Sequence, residues 1–281
     1  MRLDTPLVID MQRFSLHDGD GIRTTVFFKG CPLSCEWCHN PEGQRFEREW
    51  MFYKDRCIGC GRCREGELTE DTCPSGAREL VGRAYTLAEL MRLLTRDRQC
   101  YEVSGGGVTL SGGEVMAQDM DYVAELARRL AREGISVNID TCGLAPWSAF
   151  ERIMPYADTF LYDIKAMDPQ VHARYTGVDN ALILDNLKRL SAAGARINIR
   201  VPVIPGVNDT PDEVRAMIEF VRANVKAVRV SLLPYHRLGS DKCERLEGHQ
   251  AHEFAVPSNE HMEELAGQWR AAGFADVRIG G

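Results

Sequence analysis

Short β-rich runs alternate with amphipathic stretches along most of this chain, and that rhythm leaves few folds open to it. The runs read TTVFF, GVTL, SVNID, TFLYDI, INIRVPV and AVRVSLL, with a shorter ADVRI near the end, and β-branched and aromatic residues are prominent in them. Between them, TLAELMRLLTRD, DMDYVAELARRLAREG, WSAFERIMPYA, LILDNLKRLSAAG, TPDEVRAMIEFVRAN and NEHMEELAGQWRAAG carry apolar residues at the spacing of one helix face. Local punctuation agrees, with Thr210-Pro211 and Glu213 marking a helix start and Gly134, Gly194 and Gly273 falling just past helix ends. Six βα units emerge, and strands that alternate with helices in this way lie parallel under the helices that connect them. An open barrel and a doubly wound sheet both accommodate six units. At 281 residues, 44% hydrophobic and 27% charged, the chain is long enough to bury one large core. Only residues 44–84 break the rhythm. They are read as a small insert between an N-terminal part, 1–43, and the remainder, 85–281.

The polar residues that stand out sit at or just past the C-terminal ends of the predicted strands, where parallel α/β folds build their sites. Ser111-Gly112-Gly113-Glu114 follows GVTL, Asp140-Thr141 closes SVNID, Asp163 and Lys165 close TFLYDIK, Arg200 sits in INIR and His236 follows SLLPY. Each alone has an ordinary explanation: the glycines as a turn, Asp163 and Lys165 as a surface pair, His236 as a core histidine. Their convergence on one mouth from separate units points to a site. No apolar run approaches the ~20 residues of a membrane span, and MRLDTPLVIDMQRF lacks the apolar stretch of an export signal, so a cytoplasmic protein is expected. A net charge of -7 without basic blocks gives no footprint for nucleic acid.

Ten cysteines are many for such a chain, and seven of them crowd between Cys31 and Cys73. Ligation of a metal or cluster is favoured over disulfides in a reduced compartment. Cys100, Cys142 and Cys243 stand apart and read as incidental or buried thiols. GCPLSCEWCHNPEG places Cys31, Cys35 and Cys38 in a C-x3-C-x2-C spacing with no fourth cysteine nearby. A structural zinc site takes four protein ligands, and His39 directly after Cys38 makes a poor fourth. A four-iron cubane held by three thiolates keeps one iron open. Zinc, or a closed electron-transfer cluster with a distant fourth ligand, also suits the spacing. The second group, Cys57-x2-Cys60-x2-Cys63 followed by Cys73-Pro74, has the thiolates to close a ferredoxin-type cubane, or a structural zinc site.

The C-x3-C-x2-C motif with Trp37 before its last cysteine resembles the signature of radical S-adenosylmethionine enzymes. DGDGIRTTVFFKGCPLSCEWCHNPEG, SGGGVTLSGGE, IDTCG, LYDIKAMD, IRVPVIPGVND and LLPYHRLG resemble, in order and spacing, the glycyl-radical enzyme activating enzymes typified by the pyruvate formate-lyase activating enzyme. The resemblance covers nearly the whole chain outside the insert. It implies a partial (β/α)6 TIM-like barrel with a ferredoxin-like cysteine-rich insert. Cys31, Cys35 and Cys38 would bind three irons of a [4Fe-4S] cluster, and the fourth would chelate S-adenosylmethionine. Trp37, His39, Gly112, Gly113, Glu114, Asp163, Ile164, Lys165, Arg200 and His236 would surround that cofactor. Asp140, Thr141, the backbone at Leu161 and Asp163 would hold a monovalent cation, Na+ or K+, a hard ion suited to oxygen ligands.

The implied oxidoreductase cleaves S-adenosylmethionine reductively. The resulting 5′-deoxyadenosyl radical takes a hydrogen atom from a glycine Cα of a partner glycyl-radical enzyme. Flavodoxin or ferredoxin would supply the electron, a second [4Fe-4S] cluster on Cys57, Cys60, Cys63 and Cys73 would relay it, and the chain would act as a monomer. Two other readings stand beside this one: a radical enzyme acting on a small molecule, and a non-catalytic iron-sulfur or zinc interaction protein. One departure concerns Asp18-Gly19-Asp20-Gly21-Ile22-Arg23, where the family usually has proline at the position of Asp20. Without proline a freer loop is expected, with less secure partner docking beside it.

Overall fold

Every strand-like run of the sequence forms a strand, and these strands lie side by side in chain order. The strands are β1 Leu7–Ser15, β2 Arg23–Phe28, β3 Glu49–Phe52, β4 Arg78–Val81, β5 Arg83–Ala84, β6 Gly107–Gly112, β7 Ser136–Thr141, β8 Thr159–Asp163, β9 Ile197–Val203, β10 Ala227–Pro234 and β11 Val277–Ile279. The helices are α1 Leu87–Leu94, α2 Arg98–Ser104, α3 Met120–Arg132, α4 Trp147–Ile153, α5 Pro169–Thr176, α6 Ala181–Ala192, α7 Pro211–Asn224, α8 Leu238–Cys243 and α9 Asn259–Ala271. This structure is a computed structural model that describes residues 5–66 and 68–280. Residues 1–4 of the expected N-terminal part, residue 67 of the expected insert and residue 281 lie outside the described residues.

The main sheet has the order β11-β10-β9-β8-β7-β6-β2-β1-β5. From β2 to β11 all neighbours are parallel, whereas β1 runs antiparallel to β2 and β5 antiparallel to β1. The sheet therefore ends on two different strands and stays open, as a partial barrel does. TTVFF is its second strand in the chain, because β1 precedes it. Within the expected insert, β3 and β4 pair antiparallel as a separate two-stranded sheet, while β5 belongs to the main sheet.

The parallel strands turn apolar residues to the helix side, and several turn polar residues to the barrel side, though Phe27 of β2 and Leu233 of β10 also line the cavity. On β7, Val137 and Ile139 enter the core while Asn138 and Asp140 face the interior cavities; on β9, Ile197, Ile199 and Val201 alternate with Asn198, Arg200 and Pro202 in the same way. Closed barrels usually fill their interior with branched apolar side chains. Polar ones here leave space. The helices close the outer face with Leu126, Leu130, Leu187, Leu190 and Trp269 buried against the sheet, and side chains cap several starts, Thr210 accepting from the amide of Glu213 and Asp119 from those of Asp121 and Tyr122.

Two expectations need correcting. Arg200 sits in the middle of β9, opposite Asp163, rather than at a strand end. The loop that lacks proline is not left free, because Asp20 pairs with Arg196 at 3.2 Å and with Arg229 at 2.9 Å.

Candidate active site

A cavity of about 500 Å³ opens at the C-terminal ends of the parallel strands, and Cys31, Cys35 and Cys38 lie on its wall. Their loop follows β2 and is fixed from several directions. Gly30 donates to the carbonyl of Gly43 and Cys31 to that of Gln44, both at 2.8 Å, while Ser34 and Glu36 donate to the last turn of α5 at Thr176 and Tyr175. Gly30 has a φ of 109°, and the ring of Phe46 fills the space a β-carbon would take. Trp37 is buried beside Tyr235, with ring contacts to Tyr175 and Phe254, so the loop stands on an aromatic base.

The three cysteines line this cavity and a neighbouring one beside Arg45 and His249, and burial dominates the chemistry of two of them. It pushes the Cys38 thiol up to about 12 and raises that of Cys35 as well, though Lys165 opposes both shifts. Cys31 moves the other way because Cys142 hydrogen-bonds to it and itself keeps the proton. Thiols raised by burial become good thiolate ligands only with a positive centre at the sulfurs, which is what a metal cluster provides. Among the described residues no three His, Cys, Asp or Glu side chains close round a single metal ion. A cubane asks for a different arrangement, since its thiolates bind different irons.

Across the cavity the charged residues form one linked set. Lys165 Nζ donates to Asp163 Oδ2 at 2.7 Å, and Ser111 Oγ donates to Asp140 Oδ2 at 2.7 Å. Arg200 reaches both acids, 3.1 Å from Asp140 and 3.8 Å from Asp163, but its N–H groups are poorly aligned. Arg200 Nε and Nη1, Asp163 Oδ1 and His236 Nδ1 are buried without a hydrogen-bond partner. Such orphaned groups around a cavity await a polar ligand. Burial works against the charge of Lys165, yet Asp163 and Cys35 hold its pKa well above the usual lysine value. Burial and the neighbouring Asp163 push Asp140 up to about 6 against the pull of Arg200. His39 and His236 stack with ring centres 3.7 Å apart, and burial followed by the neighbouring His236 lowers His39 to about 4.

Cys31, Cys35, Trp37, Cys38, His39, Gly112, Gly113, Asp140, Thr141, Asp163, Lys165, Arg200 and His236 all line this cavity. Glu114, Leu161 and Ile164 are buried outside its lining. Glu114 has no exposed surface and acts as a bracket, accepting from Thr141 Oγ1 at 2.6 Å, the Cys142 amide at 2.7 Å and the Met116 amide at 2.9 Å. Cys57, Cys60, Cys63 and Cys73 line a second, smaller cavity in the insert. Sequence reasoning missed Cys142 and Asp18, which share the main cavity, and Asn208, whose side chain donates to the carbonyls of Lys165 and Pro202 and so ties two site loops together. The IDTCG, DGDGIR and IPGVND stretches already contained all three.

Residues 25–221 match the model of the radical SAM superfamily. The chain is 45% identical to the trans-4-hydroxy-L-proline dehydratase activating enzyme of Clostridioides difficile, covering 98% of this chain and 99% of that one. It is 39% identical to the choline trimethylamine-lyase activating enzyme of Oleidesulfovibrio alaskensis over 85% and 86% of the two chains. Among solved structures, a domain of the pyruvate-formate lyase-activating enzyme from Bacteroides vulgatus superposes with a TM-score of 0.54 at 29% identity, covering 63% of this chain and all of that one. A radical SAM methyltransferase from Sphaerobacter thermophilus shares the fold, with a TM-score of 0.59 at 17% identity over 98% and 77% of the two chains. A cysteine loop on an open parallel barrel, matched along nearly its whole length by activating enzymes, places this chain in the radical SAM superfamily as a member of the glycyl-radical enzyme activating enzymes.

Proposed function

We propose that Cys31, Cys35 and Cys38 hold three irons of the [4Fe-4S] cluster that this family uses, and that the main cavity receives S-adenosylmethionine beside it. The observation that carries this reading is one cavity of about 500 Å³ whose wall combines three thiols with the orphaned atoms of Asp163, Arg200 and His236. When bound, cluster and cofactor would supply the reductive cleavage of S-adenosylmethionine that lets hydrogen be taken from a glycine Cα of the partner enzyme. The chain's own residues bind, orient and exclude water. Trp37 and His39 shape the cluster side, Gly112 and Gly113 present backbone, Asp163 and Lys165 offer an acceptor and a donor, and Arg200 with His236 closes the wall.

The partner proposed first is a glycyl-radical dehydratase of trans-4-hydroxy-L-proline, because the relative matched end to end at 45% identity is named for that enzyme. Cys57, Cys60, Cys63 and Cys73 are proposed to hold a second [4Fe-4S] cluster, supported by their convergence on one small cavity. That cluster would take electrons from a flavodoxin or ferredoxin. A cytoplasmic monomer suits the task, and among the described residues no helix is long and apolar enough to cross a membrane. A monovalent cation, Na+ or K+, is proposed at Asp140, Thr141, the Leu161 backbone and Asp163, supported by the buried, unpartnered Oδ1 of Asp163, with Arg200 and Lys165 sharing the same two acids.

Anaerobic reconstitution tests the proposal. The reduced protein should form 5′-deoxyadenosine from S-adenosylmethionine and raise a glycyl-radical signal by electron paramagnetic resonance in the hydroxyproline dehydratase. Cleavage without a radical in that partner, but with one in a choline lyase, would reassign the partner. Absence of cleavage in iron-replete protein would overturn the reading.

A further inference from the structure

The loop between β1 and β2 has two faces. Leu16, His17 and Asp18 line the main cavity. Asp18 Oδ2 accepts from Thr25 Oγ1 at 2.7 Å, and its carbonyl accepts from Thr109 Oγ1 at 2.7 Å. Two residues later Asp20 reaches across the N-terminal end of the barrel. Its Oδ2 lies 3.2 Å from Arg196, just before β9, and its Oδ1 accepts from Arg229 of β10 at 2.9 Å; Arg229 also donates to Asp276, just before β11, at 2.8 Å.

Along the sheet β2 is separated from β9 by β6, β7 and β8, and β10 and β11 lie farther still. Asp20 therefore joins the two flanks of an open barrel where no strand pairing does. The glycines beside it press the loop inward. Gly19 has a φ of 124° and Gly21 one of 71°; a β-carbon on Gly19 would meet Asn138 Nδ2 at 2.0 Å, and one on Gly21 would meet the Gly106 amide nitrogen at 2.4 Å. Gly19 and Gly21 let the loop sit, and Asp20 holds it there.

We propose that Asp20 is a positioning residue for the protein substrate: its ion pairs with Arg196 and Arg229 keep Leu16, His17 and Asp18 in place to receive the partner's glycine segment. This rests on the reading that such a segment enters the main cavity. Preorganisation of a loop strengthens binding by removing the ordering cost at the moment of contact. Asp20 and Arg196 are each about half exposed, with side-chain exposures of 51% and 49%, so salt weakens the clasp.

Asp20→Asn tests it in the reconstituted protein. The KM for the partner should rise about two- to thirtyfold, the effect of losing two partly exposed charge contacts, while kcat at saturating partner and the iron content stay unchanged. Asp20→Glu should restore most of the loss, and the gap between wild type and Asp20→Asn should close as salt rises to about 0.5 M. Should Asp20→Asn fold poorly, Arg196→Gln removes one contact from the other side and should show a smaller rise of the same kind. Hydrogen exchange decides the clasp without any partner, since amides of residues 16–22 should exchange faster in either variant and those of β7 and β8 should not. Unchanged exchange in that loop overturns the proposal, as does an unchanged KM, or a fall in kcat together with loss of iron. Wild-type protein that cleaves S-adenosylmethionine yet activates no glycyl-radical enzyme would count against the functional reading instead, leaving the exchange result to judge Asp20.

Discussion

Gly113→Ala should unseat the cysteine loop although it adds one methyl group far from any cysteine in sequence. A β-carbon at Gly113 would lie 2.2 Å from the carbonyl oxygen of Gly30, 2.6 Å from its carbonyl carbon and 2.7 Å from the carbonyl oxygen of Gly43. These are backbone atoms on both sides of the loop's base, so no side chain can swing aside. Relief requires the strand end or Gly30 to move by about 1 Å, and overpacking of this kind costs ~1–3 kcal/mol. For a chain of this size that lowers the melting temperature by about 2–5 °C. Ligand geometry is more sensitive, because Cys31 follows Gly30 directly and metal sites need ligands placed within about 0.5 Å. Iron content after anaerobic reconstitution should therefore fall by the amount that Cys38→Ala loses. Gly134→Ala is the comparator: its φ of 71° penalises a side chain, but nothing lies within 4 Å, so it should cost about 1–2 kcal/mol and keep its iron. Gly112→Ala combines a φ of 114° with a contact of 2.2 Å to the Phe28 amide nitrogen and should be the worst of the three. Full iron in Gly113→Ala, with a melting temperature no lower than that of Gly134→Ala, would refute the argument that close approach fixes the loop.

Two titrations give further checks. Burial and Asp163 raise Asp140 to about 6 in the folded chain despite Arg200, against about 3.9 unfolded. The folded state thus binds more protons between these values, so the contribution of Asp140 is fully present below pH ~4 and is lost as pH rises through 6, by at most about 3 kcal/mol. Urea unfolding at pH 4.5 and 6.5 should show that difference shrinking in Asp140→Asn, and parallel curves would contradict it. In cluster-free protein the Cys73 thiol is lowered to about 7, mainly by the Ser75 hydroxyl 3.6 Å away and then by backbone amides. Alkylation of Cys73, followed by mass spectrometry, should reach half its maximal rate near pH 7, against about 8.5 for an ordinary thiol, and Ser75→Ala should move it upward; a wild-type midpoint near 8.5 would rule the Ser75 contact out.

The barrel was legible because its strands and longer helices repeat their patterns over enough residues to be read. β1 was not, since LVIDMQRFS mixes Asp10, Gln12 and Arg13 into a half-exposed strand whose pairing with β2 is a tertiary fact. α2, α5 and α8 span only 6 to 8 residues, about two turns, and show a helical period poorly, whereas α1 and α4, equally short, run on into 3-10 turns at Thr95–Asp97 and Met154–Tyr156 that lengthen the pattern. Asp168 followed by Pro169 was an overlooked start signal for α5, where the Asp168 side chain accepts from the amides of Gln170 and Val171. The cysteine loop and the charged residues could be named from local motifs. What those side chains do to one another could not, because it depends on pairs far apart in the chain. Glu114 brackets Thr141 and Cys142, 27 and 28 residues away, and Asp20 meets Arg196 and Arg229, 176 and 209 residues away.

The charge within the main cavity argues for the kind of ligand it takes. Asp18, Asp140 and Asp163 face it, opposed by Lys165 and Arg200, while Lys242 on the rim is matched by Glu42 outside the lining. Three carboxylates against two cations leave one negative charge among these side chains, to which the proposed cluster with its three thiolates would add its own. S-adenosylmethionine carries a sulfonium, an ammonium and a carboxylate, one net positive charge, opposite in sign to that excess. A monovalent cation alone would leave the poorly aligned donors of Arg200 unsatisfied. A ligand with both a carboxylate and cationic groups answers both needs, the carboxylate meeting donors such as Arg200 and the cationic groups facing the acids. The same arrangement explains why polar residues occupy barrel-facing positions that an ordinary core would give to valine and leucine.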